Sequence, residues 1–139
     1  MKAKMRILLV EDEPGVSMMM VHLLTRAGCE VEVAWNAAKG MALAQVGDFD
    51  LITLAADLPG LNGFEFCRRL KKDVRLRHTP VVLVSGRSSK VDARRGMELG
   101  AADYITKPFV ATDFIFRIMS NARVNVRAET MMTPGKASV

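Results

Sequence analysis

Arg6-Ile7-Leu8-Leu9-Val10-Glu11-Asp12-Glu13-Pro14 passes, within nine residues, from an unbroken apolar run to three acids and a proline. Four consecutive apolar residues without alternation are the pattern of a strand covered on both faces. Proline suits the first turn of a helix, where a backbone N–H would go unpaired anyway. The acids therefore stand at a strand-to-helix junction. Working outward, similar apolar runs recur at residues 31–35, 51–56 and 81–85, each read as continuous, and a shorter one at 104–106.

Between the runs the spacing turns helical. In the first helix Val16, Met19, Met20, Leu23, Leu24 and Ala27 share one face, with Met18 and Val21 off it and Gly28 where the helix can end. Asn36 is a cap for a second helix over 37–46, and Asn62-Gly63 precedes a third over 64–72. Ser88 or Ser89 opens a fourth that stops at Gly100. Thr112 or Asp113 opens a fifth that runs to about residue 126. Its core stripe is Ile115, Ile118, Ala122 and Val126, broadened by Phe116 and Met119. Five strand–helix alternations predict an α/β fold, a doubly wound five-stranded parallel sheet with helices on both faces. One domain over residues 1–126 is expected, with 127–139 as a C-terminal tail or linker stub.

The composition agrees with this reading. Of 139 residues half are hydrophobic and a quarter charged, with a formal net charge of +5. A basic balance favours acidic partners. Arg68, Arg69, Lys71, Lys72, Arg75 and Arg77 form a basic run, read as a solvated face. Cys29, Cys67, His22 and His78 are too sparse and scattered for a zinc site, and the thiols read as reduced. The basic start, residues 1–6, leads into an apolar run too short for a signal peptide, and no stretch has the apolar length of a membrane span. The expected location is cytoplasmic, with no membrane partner.

In open parallel sheets ligands bind beyond the carboxyl ends of the strands. Those ends carry Glu11-Asp12, Ala55-Ala56-Asp57, Ser85-Gly86 and Thr106-Lys107-Pro108. Each piece alone has a structural explanation: acids favour a helix N-terminus, and a serine or a Lys-Pro is common at a turn. Together at one edge they supply carboxylates, a hydroxyl and an ammonium. Such oxygen ligands suit Mg²⁺, and a hydroxyl with a lysine beside it suits a phosphoryl group.

From about Lys4 to Val126 the chain resembles the receiver domain of two-component response regulators. The resemblance rests on residues 7–14, on Leu58-Pro59-Gly60-Leu61-Asn62-Gly63-Phe64, on residues 81–85, and on Gly100-Ala101-Ala102-Asp103-Tyr104-Ile105-Thr106-Lys107-Pro108-Phe109. It implies the flavodoxin-like strand order 2-1-3-4-5. It also implies that Glu11 and Asp12 hold Mg²⁺ and that the backbone carbonyl of Asp57 completes the metal shell. Ser85 would grip the phosphoryl group, Lys107 would pair with the acceptor carboxylate and then with phosphate, and Tyr104 would be the aromatic switch. The Lys107-Pro108 bond corresponds to one that is usually cis.

The chain departs from that family at one position. The phospho-acceptor lies four residues before the proline and eight before the glycine; counting from Pro59 and from Gly63 gives Ala55 both times. A methyl group cannot act as nucleophile. Three explanations stay open. Ala55 was introduced to make an ordinary receiver non-phosphorylatable; the chain is a natural pseudo-receiver acting through phosphate-independent binding; or Asp57 substitutes, although it stands about 6–7 Å further along a strand. A Mg²⁺-dependent phosphatase of the haloacid dehalogenase type is the enzymatic alternative, but its nucleophile would be missing at the same place. The expectation is a non-enzymatic signalling module with weakened Mg²⁺ binding.

The implied partners are a sensor histidine kinase or phosphotransfer protein, which docks against the first helix where Met18 projects. A homodimer through the fourth helix, fifth strand and fifth helix is a further expectation. No nucleic-acid partner is expected for this chain alone, because no helix-turn-helix module follows.

Overall fold

Continuous apolar runs become central strands here because their alternate side chains enter two different cores. The computed structural model describes residues 4–86 and 90–122. Its elements alternate as β1 (Arg6–Val10), α1 (Pro14–Arg26), β2 (Glu30–Ala34), α2 (Ala37–Val46), β3 (Leu51–Ala55), α3 (Gly63–Lys72), β4 (Val81–Ser85), α4 (Lys90–Glu98), β5 (Asp103–Thr106) and α5 (Ala111–Asn121). All neighbouring strands pair parallel, in the order β2-β1-β3-β4-β5. The expected doubly wound fold and strand order are both present.

One core lies between the sheet and α2, α3 and α4. It takes Leu8 and Val10 of β1, Leu83 of β4, and Phe64, Phe66 and Leu70 of α3. The other lies under α1 and α5 and takes Ile7 and Leu9 of β1, Val82 and Val84 of β4, and Met20, Leu24, Phe114 and Ile118 of the helices. Burying such side chains contributes roughly 1.5–3 kcal/mol each.

The helix starts follow local chemistry. Asn36 accepts a hydrogen bond from the Lys39 amide at 2.8 Å, and Asn62 accepts one from the Glu65 amide at 2.9 Å. Side-chain oxygens there satisfy amides that a helix start leaves unpaired. At Gly63 the chain presses on the end of β3. A Cβ there would stand 2.3 Å from the Ala55 carbonyl oxygen, so only glycine lets α3 begin this close to the sheet.

Several expectations need correction. β2 is not buried on both faces: it is an edge strand whose Glu30 and Glu32 face solvent and pair with Arg6 at 3.7 and 3.2 Å. Trp35 lies just past it and is exposed. On α1, Met19 is exposed and Val21 packs against the core, the reverse of their expected faces, while Met18 is exposed as expected. On α5, Phe116 is 69% exposed and Phe114, absent from the expected stripe, is fully buried. The helix begins at Ala111 after Val110, without a side-chain cap from Thr112 or Asp113. The openings assigned to Ser88 and Ser89, the stripe position Val126, and the tail fall outside the described residues. Lys107-Pro108 is cis.

Candidate functional site

Parallel strands end side by side, so the segments after β1, β3, β4 and β5 share one edge. Glu11 directly follows β1. Its amide donates to the Ala34 carbonyl at 3.0 Å, and its side chain is almost wholly buried. Lys107, directly after β5, donates its own amide to the Ser85 carbonyl at 2.7 Å. Its Nζ stands 3.1 Å from Glu11 Oε1 and 3.3 Å from Glu13 Oε1. The second Glu11 oxygen accepts from the Glu13 amide at 3.2 Å.

These contacts act against burial. Removal from water pushes the Glu11 carboxyl above its usual value; the Lys107 ammonium opposes this without cancelling it. Burial likewise works against the charge of Lys107, yet the carboxylates of Glu11 and Glu13 hold it above the usual lysine value. Glu13 is the member of this group that the sequence did not single out. Its only signal was its place beside the acidic pair, and it reaches Lys107 across 94 residues of chain.

On the other arm, the hydroxyl of fully buried Ser85 donates to Asp57 Oδ2 at 3.3 Å. Asp57 itself is exposed. Ala55, 3% exposed, ends β3, the strand between β1 and β4. The backbone there is tightly held: Ala56 donates to the Val84 carbonyl and Gly63 to the Ala56 carbonyl, each at 3.0 Å. Tyr104 is buried against the α4 side of the sheet, where a Cβ on Gly96 would stand 3.3 Å from its ring. A polar recess of about 260 Å³ borders Asp57, Asn62, Phe64 and Arg95, and the Arg95 guanidinium lies 4.3 Å over the Phe64 ring.

The structure thus joins Lys107 to Glu11 and Ser85 to Asp57, with Asp12 partly buried beside them in sequence. Among the described residues no group of three or more His, Cys, Asp or Glu side chains comes together as a metal cage. The donor chemistry nonetheless suits Mg²⁺, which takes one or two carboxylates and keeps several waters. Lys107 already supplies one positive charge to Glu11. No helix among the described residues is long and apolar enough to cross a membrane.

Comparison with known proteins agrees with the fold. The response regulator receiver domain profile matches residues 7–119. The transcriptional regulatory protein TcrA of Mycobacterium tuberculosis is 36% identical over 118 residues, 85% of this chain and 46% of that protein. The transcriptional regulatory protein YkoG of Bacillus subtilis is 38% identical over 122 residues, 88% and 53% of the two chains. The chain spans about half the length of the curated relatives it matches. Among solved structures, the chemotaxis protein CheY4 of Vibrio cholerae superposes with a TM-score of 0.81 at 28% identity, covering 86% of this chain and 99% of that one. Sequence, strand order and superposition converge: this chain belongs to the response regulator receiver domain family.

Proposed function

We propose that this chain is a receiver module that works without phosphate because Ala55 occupies its phospho-accepting position. Response regulators exchange signals with histidine kinases or phosphotransfer proteins, and a sensor kinase or phosphotransfer protein is the proposed partner here. The observation that carries the reading is Ala55 itself. It is a buried methyl at the end of β3, on the same sheet edge as the Glu11–Lys107 ion pair and the Ser85–Asp57 hydrogen bond. A methyl group offers no lone pair to attack a phosphoryl donor. The surrounding groups retain the chemistry a phosphoryl group needs: Ser85 to grip it, Lys107 to balance its charge, and Tyr104 packed beside α4.

Glu11, Asp12 and the Asp57 backbone carbonyl are the proposed Mg²⁺ ligands, and the ion would neutralise charge at this edge. Affinity is proposed to be weak, because one carboxylate is missing and Lys107 already pairs with Glu11. The module is read as cytoplasmic and as spanning residues 1–126, with 127–139 as tail or linker. Whether Ala55 is native or introduced, the consequence for the chemistry is the same.

The test is an intact-mass comparison of this chain with Ala55→Asp, each incubated with Mg²⁺ and a small-molecule phosphodonor. The expected result is a phosphoryl adduct on the aspartate variant alone. An adduct on the unaltered chain would overturn the reading. In that case Asp57 is the second candidate acceptor, favoured by the Ser85 hydroxyl that reaches its carboxylate, and peptide mapping would locate the group. If neither form gains mass, the site is inert beyond position 55.

A homodimer through α4, β5 and α5 is also proposed, with the exposed Phe116 ring at its centre. Phe116→Ser should lower the mass measured by light scattering towards the monomer; an unchanged mass would remove the dimer.

A further inference from the structure

A groove of about 590 Å³ lies between α2 and α3, and none of the residues assigned to the site above lines it. Ala38, Met41 and Ala42 of α2 form one wall, Pro59 and Leu61 of the β3–α3 loop lie at one end, and Arg69 of α3 faces them. Its size is within the range of pockets that hold small molecules, and its lining has the usual character: mostly apolar, with few polar groups. On the α2 side Ala37, Ala38 and Ala42 leave room beside the longer Met41 and Gln45, while Gly40 draws that helix close to Val10 and Phe66.

The charge at Arg69 indicates what the groove would accept. Glu65 is shared by two guanidinium groups. Arg68 engages both of its oxygens, through Nε at 2.9 Å and Nη2 at 2.7 Å. Arg69 adds only its Nε, at 3.2 Å. One carboxylate therefore faces two cations, and Arg68 alone satisfies it. Among the described residues the terminal amino groups of Arg69 make no hydrogen bond. Glu65 orients Arg69 at the groove without consuming its fork of donors, which matches a carboxylate in two parallel hydrogen bonds.

We propose that this groove binds a small apolar molecule carrying one carboxylate. The hydrocarbon body lies on Met41, Ala42 and Leu61, and the carboxylate meets the terminal amines of Arg69. This site does not depend on Ala55 or on phosphoryl chemistry.

The experiment titrates the full chain with 4-phenylbutyrate and with its neutral counterpart 4-phenylbutyramide, followed by two-dimensional amide NMR. The fluorescence of Trp35, the sole tryptophan and the neighbour of the lining residue Asn36, gives a second readout. Saturable shifts should cluster at residues 36–45, 59–61 and 69, with the acid binding about tenfold tighter than the amide. Arg69→Gln should erase that preference and leave amide binding unchanged. Ala42→Leu should weaken both ligands by filling the groove. Both side chains are exposed and Arg68 still holds Glu65, so unchanged melting curves are expected for both variants. Absence of saturable shifts, shifts centred elsewhere, equal affinity for acid and amide, or a preference that survives Arg69→Gln would each overturn the proposal.

Discussion

Two ion-paired glutamates in this molecule have their carboxyls shifted in opposite directions although their cations act alike. Glu11, at the carboxyl edge of the sheet, faces one ammonium and has its carboxyl pushed above the usual value. Glu65, on the surface of α3, faces two guanidinium groups and has its carboxyl lowered to about 2, first through the hydrogen bonds from Arg68 and then through Arg69. The chemistry of the pairs is alike, but the solvent is not. At Glu11 the loss of water outweighs the attraction of Lys107; at Glu65 water is present and the hydrogen bonds act almost unopposed. Charge at the sheet edge is held under stress, whereas charge on α3 stands at ease. Functional sites tend to concentrate the first kind.

The two regions meet at Gly63, where the helix that carries Glu65 starts against the carbonyl of Ala55. Gly63→Ala places a methyl where backbone atoms already stand, so it should disturb both at once. A loss of about 3 kcal/mol is expected, at the upper end of overpacking costs, read as a lowered urea midpoint. A midpoint equal to that of the unaltered chain would show that α3 can shift without cost.

Lys107→Met isolates the buried side of the comparison. Glu11 would remain nearly solvent-free with no cation, which should cost about 2 kcal/mol at neutral pH, below the range for fully buried pairs because Lys107 keeps some contact with water. The pH dependence carries a sign. A carboxyl raised on folding binds its proton more tightly in the folded state, so its contribution is full below its ordinary value of 4.5 and is lost as the pH rises. Without Lys107 that loss should extend to higher pH. Melting curves from pH 4 to about pH 8 would show it; a variant that follows the unaltered chain across that window would mean that Lys107 does not hold Glu11.

Glu65→Gln gives the smallest effect and the opposite slope. A carboxyl lowered on folding stabilises above its ordinary value of 4.5, and that contribution is lost as the pH falls towards about 2. The glutamine variant should be slightly less stable at neutral pH, converge with the unaltered chain at low pH, and so show a flatter acid limb in thermal melts. An identical acid limb would place the acid sensitivity elsewhere.

Much of this was legible from the residues. The strands at 7–10 and 81–85 could be read because burial on both faces leaves no room for polar alternation, and the cap Asn36 because its chemistry is local. The site edge was legible for the same reason, since parallel strands bring their carboxyl ends together whatever the side chains do. Other features were not. In α5, Phe114, Ile115, Phe116, Ile118 and Met119 are apolar around most of the helix, so periodicity leaves its rotation open. Packing against α1 and β5 turned Phe114 inward and Phe116 outward.

By itself the sequence determined the order of strands and helices, the residues that end β1, β4 and β5, and the absence of a carboxylate at position 55. Those are properties of short segments, set by backbone periodicity and side-chain chemistry. Only the tertiary structure decided that Lys107 pairs with Glu11 and Glu13, that Ser85 reaches Asp57, and that Arg69 stands over an open groove. These contacts join segments distant in the chain, and their strength depends on how much water the packing removes, which no local pattern records.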